Sequence, residues 1–137
     1  PELKKAPAAH ILNIASTASY QAVPGLSLYA ASKSFVRYFS RGLRHELKHT
    51  GVRVTTVCPG GTNTDFAERA NLASKARKAG EKVNMSSEAV AKIAINAMYA
   101  GKAEVITGFI NKLGATLVWL LPKKLSETVA AGIYNEG

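Results

Sequence analysis

Cysteine is almost missing from this sequence: Cys58 stands alone among 137 residues, so it has no internal disulfide partner. With three scattered histidines there is no zinc-ligand spacing either, and no metal site is expected. A reducing compartment follows, and the cytoplasm is the expected location. Acidic residues are also scarce, 9 against 18 Lys and Arg, for a formal net charge of +9. Such a balance describes solubility and nonspecific attraction but selects no function. Aromatic residues do not interleave the basic ones, so no nucleic-acid partner is expected. Long hydrophobic runs are missing too: the most apolar stretch, Leu113 to Leu121, is less than half of the ~20 residues that span a bilayer. The opening Pro1-Glu2-Leu3-Lys4-Lys5 lacks the layout of a secretory signal. Membrane contact is not expected, and the Leu113 to Leu121 stretch, with Trp119, Lys123 and Lys124, reads as packing or a subunit contact.

What is present is an ordinary globular composition, 47% hydrophobic with 11 glycines and 5 prolines, enough for one core and too little for two. His10 to Ala15 is a short apolar and β-branched run after a Pro-containing breaker, which predicts a strand buried on both faces. A polar, glycine-containing loop, Ser16 to Gly25, follows. From Ser27 onward, Phe35, Phe39, Leu43 and Leu47 recur every four residues, while Lys33, Arg37, Arg41, Arg44 and Lys48 make a second, basic stripe. This predicts a long amphipathic helix with Ser27 as N-cap and Gly51 as stop. The basic stripe reads as a solvated face or one that meets acidic groups of a partner.

Val52 to Val57 is the next predicted strand, ended by Pro59-Gly60-Gly61. Residues 61–85 are polar, basic and weakly periodic, with a short helix expected over Ala67 to Ala79. Excursions of this kind from a compact body are more often functional lids than accidents. Ser86 or Ser87 then caps a helix carrying Val90, Ile93, Ala94, Ala97 and Met98 at the 3.6-residue period, with Gly101 at its end. Glu104 to Thr107 predicts a third strand; apolar residues follow from Phe109 to Leu121, and after Pro122-Lys-Lys a last weak helical pattern runs to Tyr134. The order β, α, β, lid, α, β, α describes parallel strands of an open α/β sheet.

Tyr29 and Lys33 lie four residues apart on the long helix and therefore share a face. A phenol is a poor base at neutral pH, but a neighbouring ammonium stabilises its phenolate, so such a pair suits proton transfer. Alone, the pattern is cheap and often means nothing more than an amphipathic helix. Ser16 directly follows the first strand, at the carboxyl edge where open α/β sheets place ligands, and Pro59-Gly60 occupies the same edge of the next strand. Cys58 reads as a small core residue, and His10, His45 and His49 as surface or edge histidines.

In combination, Asn13-Ile-Ala-Ser16, Tyr29-Ala-Ala-Ser-Lys33 and Pro59-Gly-Gly-Thr-Asn-Thr64 resemble, in order and separation, the serine strand, Tyr-x-x-x-Lys helix and Pro-Gly-x-x-x-Thr turn of the short-chain dehydrogenase/reductase family. The resemblance covers nearly the whole chain. It implies a partial Rossmann-type, doubly wound parallel sheet whose three strands correspond to the last three of the full fold. It also implies an NAD(P)-dependent oxidoreductase that interconverts a carbonyl and an alcohol on a small molecule. Tyr29 would be the general acid/base, Ser16 would hold the substrate oxygen, and Lys33 would hold the nicotinamide ribose. Pro59, Gly60, Thr62 and Thr64 would meet the carboxamide and phosphates of NADP or NAD.

Family members are about twice this length, and the Thr-Gly-x-x-x-Gly-x-Gly phosphate loop of their amino-terminal half has no counterpart here. The expectation is therefore that residues 1–137 are the carboxyl-terminal half of one Rossmann-type domain, with 61–85 as substrate lid and the cofactor-binding half absent. On that expectation the isolated chain is inactive and its first strand has an open edge. A homo-oligomer, a twofold dimer, or the missing half then covers the gap. The alternative is a noncatalytic interaction fragment that binds another protein through the strand edge and basic helix.

Overall fold

β1 (Ala9–Ile14), β2 (Val52–Cys58) and β3 (Glu104–Ile106) form one parallel sheet in the order β1-β2-β3. The computed structural model describes residues 2–70, 72, 74–81 and 83–134. Ala9 pairs with Val52 and Ile14 with Val57, while Thr56 pairs with Glu104 and Cys58 with Ile106. Parallel neighbours need a crossover between them, and helices α2 (Ser27–Glu46) and α5 (Ser87–Tyr99), later in the chain, supply the two. The α/β class with a three-stranded Rossmann-type parallel sheet is the expected one. Around this unit lie α1 (Glu2–Lys5), a 3-10 turn (Thr17–Tyr20), α3 (Phe66–Arg69), α4 (Ser74–Glu81), α6 (Phe109–Leu120) and α7 (Lys123–Tyr134).

β2 is the centre. Val54 to Cys58 are all buried, and since successive side chains point to opposite faces, both faces are covered; α2 and α5 are the helices that pack on it. One end of the core joins Ala9, Leu47, Val52 and Val54, with Ile11 and Leu43 against them. Cys58 is fully buried, as a small core residue should be. β1, in contrast, is not buried on both faces. It is an edge strand, mostly half-buried, with Ile14 47% exposed.

Several local expectations are corrected. Ser27 is the first helical residue, not the cap, because α2 begins after Leu26 with no side-chain capping bond. The same helix ends at Glu46, capped by Leu47. Gly51 therefore stops nothing; a Cβ there would lie 2.8 Å from the Pro7 carbonyl oxygen, so it is the close approach of that backbone which requires glycine. The lid helix over Ala67 to Ala79 is instead two short helices, α3 and α4, and the side chain of Ala79 lies outside the described residues. The last helical pattern, after Pro122, is α7 as expected, and the apolar stretch ahead of it lies in α6; Leu121 between them is extended, as a residue preceding proline tends to be.

Ser86 is the cap of α5, its hydroxyl accepting from the Ala89 amide at 3.2 Å, while Ser87 donates to the Asn63 carbonyl at 3.2 Å. Gly101 follows that helix with φ +65, the left-handed conformation that glycine adopts without penalty. Among the described residues no helix is long and apolar enough to cross a membrane.

Candidate active site

At the carboxyl edge of the sheet lies a cavity of about 970 Å³, and each element contributes to its wall for a local reason. β1 hands the chain to Ser16 as its pairing with β2 ends; the Ala15 amide still donates to the Val57 carbonyl at 2.7 Å, and the Thr17 amide to that of Pro59 at 2.8 Å. Ser16 is buried and caps the 3-10 turn, its hydroxyl accepting from the Ala18 amide at 3.1 Å. Its carbonyl accepts from the Ser19 hydroxyl at 2.6 Å. Two rigid bonds thus fix its backbone and its side chain.

α2 brings Tyr29 and Lys33 to the same cavity. The Lys33 ammonium is 5.8 Å from the centre of the Tyr29 ring, and it donates to the Ile14 carbonyl at 3.2 Å, which ties the start of the helix to the end of β1. The Tyr29 ring also packs against Phe66 of the lid, centroids 4.9 Å apart. Pro59, Gly60, Thr62 and Thr64 follow β2 along the wall. A side chain at Gly60 would run into that of Asn111, so the backbone there stays bare. The Thr62 hydroxyl donates to the Gly60 carbonyl at 3.3 Å, and the Thr64 hydroxyl accepts from the Phe66 amide at 3.3 Å. The excursion closes where it began, because Thr62 bridges to Met85 and the Asn63 amide donates to the Met85 carbonyl at 2.9 Å.

All seven residues singled out from the sequence, Ser16, Tyr29, Lys33, Pro59, Gly60, Thr62 and Thr64, therefore lie on one wall system. Others on that wall carried no motif: Gln21, Arg77 and Tyr134. Burial, and then the neighbouring Tyr29, push the Tyr134 phenol above its usual range. Only the return of α7 to the cavity reveals it, since Tyr134 is 105 residues beyond Tyr29 in sequence.

Behind the cavity wall is a polar cluster that periodicity misassigned. The basic stripe of α2 is not a solvated face at Arg37 and Arg44. Arg44 donates to the carbonyls of Val54 at 2.6 Å and Gly101 at 2.9 Å, and Arg37 pairs with Glu104 at 2.9 Å. Arg41, 57% exposed at its side chain, reaches the same carboxylate at 3.5 Å. The partners are strand and loop atoms that no helical pattern displays.

Residues 1–75 match the family described as short chain dehydrogenase. The protein SadH of Mycobacterium tuberculosis is 35% identical over 134 residues, covering 90% of this chain and 48% of that protein. Sulfoacetaldehyde reductase 2 of Chromohalobacter salexigens is 48% identical over 58 residues, 42% of this chain and 23% of the relative. A short-chain dehydrogenase of Burkholderia cenocepacia, solved in complex with NADP, has a similar fold, with a TM-score of 0.74 at 22% identity over 95% of this chain and 50% of that one. This chain spans about half the length of SadH and of the Burkholderia protein.

Proposed function

The chain belongs to the short-chain dehydrogenase family, and from that premise we propose that it carries the proton-transfer residues of an NAD(P)-dependent oxidoreductase interconverting a carbonyl and an alcohol. The observation that carries this reading is the presence of Ser16, Tyr29 and Lys33 with the Pro59 to Thr64 turn on the wall of one cavity at the carboxyl edge of parallel strands. The residues fit the nicotinamide end of such a cofactor: bare backbone at Gly60, the hydroxyls of Thr62 and Thr64, and the Lys33 ammonium line that wall together. When bound, the nicotinamide supplies or accepts the hydride at the substrate carbon.

The chain's own residues handle the oxygen. Ser16, already immobilised by its two bonds, orients the substrate oxygen by donating its hydroxyl proton. Tyr29 delivers the phenolic proton to that oxygen during reduction and recovers it in the reverse direction. Lys33, its ammonium 5.8 Å from the centre of the Tyr29 ring, offers its protons to the ribose hydroxyls. Phe66 packs on the Tyr29 ring.

Measured in the longer protein that contains this segment, NAD(P)H oxidation with a panel of aldehydes and ketones should fall at least roughly 100-fold in kcat for Tyr29→Phe, the usual scale of a lost acid, with cofactor affinity nearly unchanged. Retained turnover would refute the role of Tyr29. Residues 1–137 by themselves place no glycine-rich loop at a helix N-terminus to take a pyrophosphate, so they should bind NADPH and NADH weakly and turn nothing over. A micromolar dissociation constant by calorimetry for either nucleotide would count against that.

A noncatalytic interaction segment is the second reading. It is favoured by the open edge of β1 and by the exposed Phe35 and Phe39 on α2. It requires that Tyr29→Phe leave every activity of the longer protein untouched.

A further inference from the structure

No acidic side chain is found on the described wall of the cavity, yet two cations are. One is Lys33, already placed beside Tyr29. The other is Arg77 on α4, which the proposed proton transfer does not use. Its Nε donates to the Leu72 carbonyl at 3.1 Å, and among the described residues no carboxylate pairs with it. Arg37, by contrast, lies on Glu104 at 2.9 Å, while Arg44 is held by the carbonyls of Val54 and Gly101. The Leu72 bond occupies one edge of the guanidinium and leaves the terminal donors in a fixed fork suited to a planar, two-oxygen anion.

The cavity wall that Arg77 shares carries the apolar side chains of Leu72, Ala76, Phe66, Val118 and Ile133. A half-buried guanidinium on a cavity wall with no acidic side chain among the described residues is complemented by a ligand that brings its own negative charge on an apolar body. We propose that Arg77 receives the carboxylate of a substrate whose apolar chain fills the cavity and whose carbonyl or hydroxyl group is the one presented to Tyr29. This deepens the oxidoreductase reading and rests on it: the substrate class is an oxo or hydroxy acid with an aliphatic body, distinguished from neutral carbonyl compounds by one residue of the lid.

The test is calorimetric titration of the 137-residue chain, without nucleotide, with decanoate and with decanol, both below their aggregation limits. Decanoate should bind at least about tenfold more tightly, the scale of one charge-assisted hydrogen-bonded pair. Arg77→Gln should bring decanoate down to the affinity of decanol and leave decanol unchanged, while Arg77→Lys retains part of the difference. Equal affinity for the two ligands in the parent chain overturns the proposal. So does an equal loss of both ligands in Arg77→Gln with an unchanged circular dichroism spectrum. Should the glutamine variant not fold, the lysine variant decides: a reduced preference for decanoate over decanol sustains the proposal, and an undiminished one overturns it.

Lys123→Gln and Lys124→Gln should leave decanoate binding unchanged, and a loss there instead would move the anion to α7. NADPH affinity should not respond to Arg77→Gln; a matching loss would assign Arg77 to a nucleotide phosphate and overturn the proposal. No turnover enters these measurements. Tyr29→Phe, read in kcat, decides the reductase reading, so each idea fails separately.

Discussion

Arg37 and Glu104, 67 residues apart in sequence, meet in a two-point contact, Nε to Oε2 at 2.9 Å and Nη2 to Oε1 at 3.1 Å. The Tyr20 hydroxyl donates to the same Oε1 at 2.5 Å, and the Arg37 guanidinium lies 3.8 Å from the centre of the Tyr20 ring. Three elements are thereby tied together: the 3-10 turn capped by Ser16, the helix of Tyr29 and Lys33, and the last strand. Burial opposes the charge on Glu104, but the hydrogen bonds from Arg37 and Tyr20 outweigh it, and its carboxyl is held below the usual range. The site is positioned from behind by a charged pair whose side chains are only 12% and 18% exposed.

Replacing Glu104 by Gln should destabilise the chain by roughly 3 kcal/mol, because it leaves Arg37 charged, mostly buried and without its counter-ion. The pH dependence follows from the lowered carboxyl. Its contribution is fully present above the unfolded glutamate value of ~4.3 and is lost as pH falls through the lower, folded value. Urea unfolding should therefore show the gap between parent and Glu104→Gln narrowing below about pH 4. A gap that stays constant through the acid range would show that the pair contributes no linkage.

Tyr20 titrates late. Burial first, and then its hydrogen bond to Glu104, push its phenol far above the ordinary range. In spectrophotometric titration, Tyr20→Phe should remove no part of the phenolate absorbance that develops up to about pH 11, near the ordinary phenol value. Because the folded value is raised, the stabilisation is present below the unfolded value of ~10 and erodes as pH rises past it. Loss of one tyrosine's worth of absorbance in the variant would mean that the phenol is freely ionisable.

Two small substitutions bracket α5. Ser86→Ala removes the side-chain acceptor of the Ala89 amide and should cost about 1 kcal/mol. Gly101→Ala forces a Cβ onto a residue with φ +65 and should cost roughly 1–2 kcal/mol. Chemical denaturation of both single variants and the double checks the values and their additivity. The sites are separated by the length of a helix, so the double variant should lose the sum of the two.

Self-association is expected of the 137-residue chain. Among the described residues β1 has an unpaired edge, and on α2 Phe35 and Phe39 stack with centroids 5.9 Å apart while remaining 69% and 52% exposed. Apolar surface and an open strand edge both favour a partner, most simply a second copy about a twofold axis. Light scattering at low micromolar concentration that showed only monomer would argue against it. Phe35→Glu should shift the equilibrium toward monomer, since it places a charge in the stack.

The elements themselves were legible in the sequence because their causes are local. Val52 to Val57 is β-branched enough to be a strand anywhere, Gly101 ends a helix through its own backbone freedom, and Ser86 caps with its own hydroxyl. The candidate site was legible because three short motifs stood in order, and each closes or follows one of those elements. What the sequence could not determine was which stripe of α2 faces inward. A period of 3.6 residues displays both the aromatic set and the basic set, but it cannot state what each will meet. Tertiary structure decided it: Arg37 and Arg44 turn in because Glu104 and the Val54 and Gly101 carbonyls, distant in sequence, supply the hydrogen bonds a buried cation needs. Phe35 and Phe39, of the other stripe, are left on the surface, where none of the described elements packs over them.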